Sequence, residues 1–111
     1  MKQKIVRVGG IEISNTLPFV LIAGPDSIES ENHAMMMATH ISSLCKKLEI
    51  PYIFKASYDK ANRTSINSFR GVGVNHGAEI LKNIKEKLNI PVTDAGIRYK
   101  YYHFCGKRLI I

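Results

Sequence analysis

The sequence predicts a parallel α/β fold opened by an antiparallel hairpin. Three observations carry that prediction. Phe19-Val20-Leu21-Ile22-Ala23 is a continuous apolar run bounded by Pro18 and by Gly24-Pro25, the pattern of a strand covered on both faces. Strand-like runs then alternate with helix-like ones, which argues for parallel strands joined by crossover helices. Gly9-Gly10 separates two short alternating runs, Ile5, Val6 and Val8 before it and Ile11 and Ile13 after it, which signals a hairpin.

The elements follow in order. Ser30 is placed to cap a helix, with Glu31 in the first turn, where a carboxylate suits the dipole. Ala34, Met37, Ala38, Ile41, Leu44, Cys45 and Leu48 recur at helical spacing. Lys46 and Lys47 suit the other end of the dipole, and Pro51 stops the helix. Tyr52-Ile53-Phe54 reads as a second buried strand, with Lys55 where it ends. Residues 56–75 are polar and weakly periodic, and a loop of that length in a compact domain carries function or disorder. Asn75 is placed to cap a second helix from about His76 to Leu88, with Ile80, Leu81, Ile84 and Leu88 as its apolar stripe. Ile90-Pro91-Val92-Thr93-Asp94 then reads as a third strand ending in a carboxylate. No internal repeat or low-complexity tract stands out.

Composition narrows the function classes. The chain has 111 residues, 45% hydrophobic and 23% charged, the balance of a soluble globular domain. No apolar run approaches the roughly 18 residues of a membrane span, and no secretory signal opens the chain. Cys45 and Cys105 lie far apart, form no C-x-x-C and read as reduced thiols in a cytoplasmic protein. The net charge is +7, yet Arg98, Lys100, Lys107 and Arg108 put +4 of it after residue 94. Residues 1–94 carry only +3, which suits an anionic small molecule as readily as a nucleic acid.

The densest chemistry lies in Lys55-Ala56-Ser57-Tyr58-Asp59-Lys60-Ala61-Asn62-Arg63-Thr64-Ser65. In parallel sheets, ligands bind beyond the carboxyl ends of the strands. Lys55, Asp94 and the Gly24-Pro25-Asp26 turn all sit at such ends. Lysines supply point charges and arginines planar forks, so Lys55, Lys60, Arg63 and Arg70 with small hydroxyls suit phosphate and carboxylate groups. A solvated charged loop accounts for the same run without any ligand. Gly71-Val72-Gly73 lacks the dinucleotide fingerprint, and His33 and His40 stand too far apart for one metal.

Several stretches together resemble one family: Leu17-Pro18-Phe19-Val20-Leu21-Ile22-Ala23-Gly24-Pro25 with Ile28-Glu29-Ser30, Pro51 to Ser57, Asp59 to Ser65 with Ser68-Phe69-Arg70-Gly71, and Val92-Thr93-Asp94. The chain is similar here to 3-deoxy-D-manno-octulosonate 8-phosphate synthase, also called 2-dehydro-3-deoxyphosphooctonate aldolase. The sister 3-deoxy-D-arabino-heptulosonate 7-phosphate synthases share the A-G-P…I-E-S turn, while the K-A-N-R segment favours the octulosonate enzyme. The resemblance implies a TIM barrel with an N-terminal hairpin across its bottom and a homotetramer. It implies condensation of phosphoenolpyruvate with arabinose 5-phosphate, releasing phosphate, on the way to lipopolysaccharide. It places Lys60 and Asp94 among the catalytic residues, Lys55 and Lys60 on phosphoenolpyruvate, and Asn62 and Arg63 on arabinose 5-phosphate, with Ser57 and Thr64 beside them.

Two departures qualify the match. Position 26 is Cys in metal-dependent members and Asn in metal-independent ones, whereas this chain has Asp26. A carboxylate suits Mn²⁺ or Mg²⁺ rather than softer ions, so a divalent metal at Asp26 is the one cofactor expected, and its charge should weaken anion binding. The resemblance also stops at about Asp94, and 111 residues are too few for a barrel of roughly 200 or more. The expectation is an incomplete (β/α)₈ barrel: the hairpin and first three strands in residues 1–94, then a basic aromatic tail over 95–111, out of frame and poorly ordered. Such a piece leaves a sheet edge uncovered and should be marginally stable and inactive alone. Two readings compete with the synthase: a non-catalytic remnant, and a small RNA-binding module stacking bases on Tyr99, Tyr101, Tyr102 and Phe104 of the tail.

Overall fold

A computed structural model describes residues 4–58 and 71–94. Seven elements run through them: β1 (Val6–Val8), β2 (Ile11–Ile13), β3 (Leu21–Ala23), α1 (Glu31–Leu48), β4 (Tyr52–Lys55), α2 (Val74–Leu88) and β5 (Val92–Thr93). The tail over 95–111, and with it the RNA-binding reading, lies outside the described residues.

The hairpin forms as the sequence predicts. Val6 pairs with Ile13 and Val8 with Ile11, and Gly9 turns at φ +57°. A Cβ at Gly9 would sit 3.4 Å from Pro91 Cγ, so the turn lies at the amino end of the sheet beside the entry to β5.

The second sheet is parallel, in the order β3-β4-β5. Registers are Leu21 with Tyr52, Ala23 with Phe54, and Phe54 with Val92. Those residues face the helices and join one core with Ala34, Ala38, Cys45, Ile80, Leu81 and Ile84. By strand alternation, Ile22, Ile53, Lys55 and Thr93 occupy the opposite face. Both helices therefore cover the same face of a sheet whose strands follow chain order.

Three expectations need correction. The Phe19–Ala23 run is not covered on both faces: it narrows to β3, with Phe19 68% and Ile22 50% exposed. Among the described residues β3, like β5, is an edge strand, and no second layer covers Ile22. The buried stripe of α1 is Ala34, Ala38, Ser42 and Cys45, whereas Leu44 and Leu48 stand outside it. Small residues let the helix backbone approach the sheet closely. The cap of α2 is Gly73, not Asn75, and the helix starts at Val74. Gly73 sits at φ +87°, which glycine alone adopts without strain, and its N–H donates to Tyr58 O at 3.0 Å.

The cap of α1 is as predicted, with Ser30 Oγ accepting from His33 N–H at 3.1 Å. The helix stops before Pro51 is reached. Glu49 takes a left-handed conformation, and Ile50 N–H returns to Cys45 O at 2.9 Å. Asn89 ends α2 in the same left-handed conformation, at φ +52°. Leu48-Glu49-Ile50-Pro51 and Leu88-Asn89-Ile90-Pro91 are thus one junction used twice. In each, the proline carbonyl accepts an N–H from the preceding strand: Leu21 to Pro51 and Phe54 to Pro91, both at 3.0 Å. A short recurrence is present after all, too brief to read as a repeat from sequence.

Candidate active site at the carboxyl ends of the strands

The site begins where β3 leaves the sheet. A Cβ at Gly24 would lie 1.9 Å from Lys55 O, so only glycine lets the chain pass this close to the end of β4. Beyond it, Pro25 and Asp26 carry the chain on alongside the residues that follow β4. Ser57 N–H donates to Asp26 O at 3.4 Å, and Ile28 N–H donates to Ser57 O at 2.8 Å. Ser27 and Ser57 thereby form a parallel bridge past the end of the regular ladder.

Together these segments enclose a cavity of about 360 Å³, lined by Gly24, Pro25, Asp26, Lys55, Ala56 and Ser57 among others. Lys55 reaches it from the sheet face opposite the helices. Ser57 is buried, at 2% exposure, while Lys55 and Asp26 are exposed. A mobile ammonium beside a fixed serine and a carboxylate can hold an anion and orient a hydroxyl-bearing partner.

Asp94 sits at the end of β5, 6% exposed, and its Oδ1 accepts from Tyr58 N–H at 3.2 Å. The sequence reading named Asp94 but missed Tyr58, because an aromatic in a polar run carries no sign of the bond its backbone makes. Gly77 was missed too: a Cβ there would lie 2.1 Å from Tyr58 Cβ. Thr93, opposite Lys55 in register, is buried and donates its hydroxyl to Asp94 O at 3.3 Å.

Of the expected site residues, Asp26, Lys55, Ser57 and Asp94 gather at this one end of the sheet. Lys60, Asn62, Arg63 and Thr64 lie outside the described residues. Asp26 is a single candidate ligand for a metal. Among the described residues, no group of three His, Cys, Asp or Glu side chains is placed to hold one. Among the same residues, no helix is long and apolar enough to cross a membrane.

A model of the DAHP synthetase I family matches residues 2–96. The 2-dehydro-3-deoxyphosphooctonate aldolase of Rickettsia felis is 52% identical over 90 residues, 81% of this chain and 33% of that protein. The protein of the same name from Granulibacter bethesdensis is 54% identical over 89 residues, 80% of this chain and 32% of its own. The chain spans about a third of the length of the curated relatives it matches.

Proposed function

The chain belongs to the DAHP synthetase I family, and from that premise we propose that it carries the opening segment of a 3-deoxy-D-manno-octulosonate 8-phosphate synthase. The reaction is the cytoplasmic condensation of phosphoenolpyruvate with arabinose 5-phosphate, with release of phosphate. One observation carries the reading: Lys55, Ser57 and the Gly24–Asp26 turn converge where a parallel sheet binds ligands, directly ahead of Lys60, Asn62, Arg63 and Thr64. Strand order that follows the chain, with both helices on one face, supports a singly wound path that closes as a (β/α)₈ barrel. A doubly wound sheet would instead reverse its order at a switch point.

In this reading Lys55 supplies a point charge to phosphoenolpyruvate at the strand end, joined by Lys60. Asn62, Arg63 and Thr64 take the sugar phosphate, with Ser57 fixing the floor between them. No step is routed through a metal at Asp26, since the described donors do not amount to a ligand set.

The test is a fusion of residues 1–94 to the remaining two thirds of the Rickettsia felis relative. The fusion is expected to consume both substrates and release phosphate, and the 111-residue chain alone to release none. Lys55→Ala in the fusion is expected to lower kcat/KM by about 10²–10³-fold, the scale of losing one preorganised charge at a developing anion. A folded fusion that releases no phosphate, beside an active parent, would sink the reading.

A further inference from the structure

Both helices end beside the hairpin, and the space between them is open. Lys46 and Lys85 stand in the last turns of α1 and α2. With the Gly9-Gly10 turn and the two proline junctions they enclose a cavity of about 480 Å³, a size that suits a small molecule. It lies at the amino end of the sheet, away from Lys55, Ser57 and the Gly24–Asp26 turn.

Burial orders its lining by depth. Ser42, 6% exposed, and Cys45, 4% exposed, form the floor. Half-buried Ile11, Ile50 and Ile90 form aliphatic walls, and the exposed Lys46 and Lys85 stand at the rim. Apolar walls with a few polar groups are the build of a site for a ligand with a carbon body.

Charge selects the kind of ligand. Two helix C-termini open onto the space, each equivalent to about −0.5 charge. Two ammoniums outweigh them and leave a surplus of about one positive charge. Among the described residues no carboxylate lines the cavity, and neither lysine is paired with one. Lys82, by contrast, lies 4.0 Å from Glu86 on the same helix. An anion at the rim answers that surplus.

The floor asks for a second group. Among the described residues the Ser42 hydroxyl makes no hydrogen bond, although buried polar groups are as a rule paired. Tyr52, in the same lining, has already committed its hydroxyl to Ala23 O at 2.7 Å. Ser42 and Lys46 are one helical turn apart, about 6 Å along α1.

We propose that this cavity binds a small aliphatic anion. Lys46 and Lys85 hold its charged head, the three isoleucines cover its carbon chain, and a hydroxyl or carbonyl at its far end pairs with Ser42. The site stands apart from the reaction proposed above and does not depend on it.

The test titrates hexanoate, 6-hydroxyhexanoate and hexan-1-ol into the isotopically labelled 111-residue chain, followed by amide NMR shifts. Hexanoate is expected to shift the Gly9, Gly10, Cys45 and Lys46 amides saturably, with a Kd on the order of 1–10 mM. Replacing both lysines, by Lys46→Gln with Lys85→Gln, should weaken hexanoate about tenfold, the scale of losing two exposed ion pairs, and leave hexan-1-ol unchanged. In the unsubstituted chain 6-hydroxyhexanoate should bind about fivefold tighter than hexanoate, the scale of one neutral hydrogen bond, and Ser42→Ala should erase that gain. Ser42→Ala breaks no bond of the fold and introduces a better helix former, so its urea midpoint should not fall.

A chain that shows no saturable shift at these amides overturns the proposal. So do shifts centred on the exposed Phe19 and Ile22, or hexan-1-ol binding as tightly as hexanoate. A hydroxyl gain that survives Ser42→Ala overturns it as well.

Discussion

The two ends of the parallel sheet are built on different terms. At the amino end, both helices arrive through the same Leu-x-Ile-Pro junction, with a left-handed residue at Glu49 and Asn89 and a proline carbonyl closing onto the preceding strand. At the carboxyl end every exit is different. Gly24 passes against Lys55 O, Ser57 bridges to Ser27, and Asp94 reaches over to Tyr58. The cavity of about 480 Å³ at the amino end, between the Gly9-Gly10 turn and the two junctions, is larger than the one at the carboxyl end. Its lysines, Lys46 and Lys85, sit in the last turns of α1 and α2, where they offset the helix dipoles. Cavity size therefore does not favour the carboxyl end. Of the buried polar residues, Ser57, Thr93 and Asp94 lie at the irregular end, and Ser42 lines the cavity at the repeated one.

Substitutions break or sharpen this contrast. The largest effect is expected at the carboxyl end. Gly24→Ala drives a Cβ into Lys55 O and should cost about 3 kcal/mol by urea denaturation, the upper range for overpacking. A loss under ~0.5 kcal/mol, within the range of an ordinary surface change, would show that the two strand exits move apart freely.

Tyr52 joins the two ends. It enters β4 from the amino side, and its hydroxyl donates to Ala23 O at 2.7 Å. Tyr52→Phe should cost about 1 kcal/mol at neutral pH, one buried hydrogen bond. Burial raises the Tyr52 phenol above its ordinary 10.0, with the nearby Cys45 adding to the effect, and burial raises the Cys45 thiol above 9.0. Each group keeps its proton in the folded chain after the unfolded chain has lost it. Their stabilisation is therefore complete below pH 9 and fades as pH rises past 9 and 10. Stability measured from pH 7 to 11 should fall at the alkaline end, and Tyr52→Phe should flatten that fall.

The smallest effect is a gain. Glu49 occupies a left-handed position at φ +57° without a glycine's freedom. Glu49→Gly should stabilise the chain by about 0.5 kcal/mol, relief of the left-handed penalty less the entropy of glycine. Glycine is thus favoured at both ends, for space at Gly24 and for backbone conformation at Glu49.

Much of the amino end was legible in the sequence. Gly9-Gly10 and Pro51 are local signals, and the structure honours the element order they predict. What escaped was the pair of left-handed stops, because Glu49 advertises none. At the carboxyl end, position flagged Lys55, Asp94 and the Asp26 turn, since each falls just past an apolar run, and the family resemblance added Ser57. Their partners did not show. Gly24, Gly77 and Tyr58 matter through contacts with residues far along the chain, and no periodicity encodes those. The covered strand expected at Phe19–Ala23 failed for a related reason. An apolar run reports what a strand tolerates, while an edge position is set by neighbours elsewhere in the chain.

The twin junctions have a bearing on how such chains recombine. Forty residues separate Pro51 from Pro91, and each marks the same backbone geometry on entry to a strand. Residues 52–91 therefore form an exchangeable cassette whose two borders match. Crossovers placed at those prolines would rejoin like with like, and a shuffled library cut there should keep more folded members than one cut at Gly24 or Tyr58.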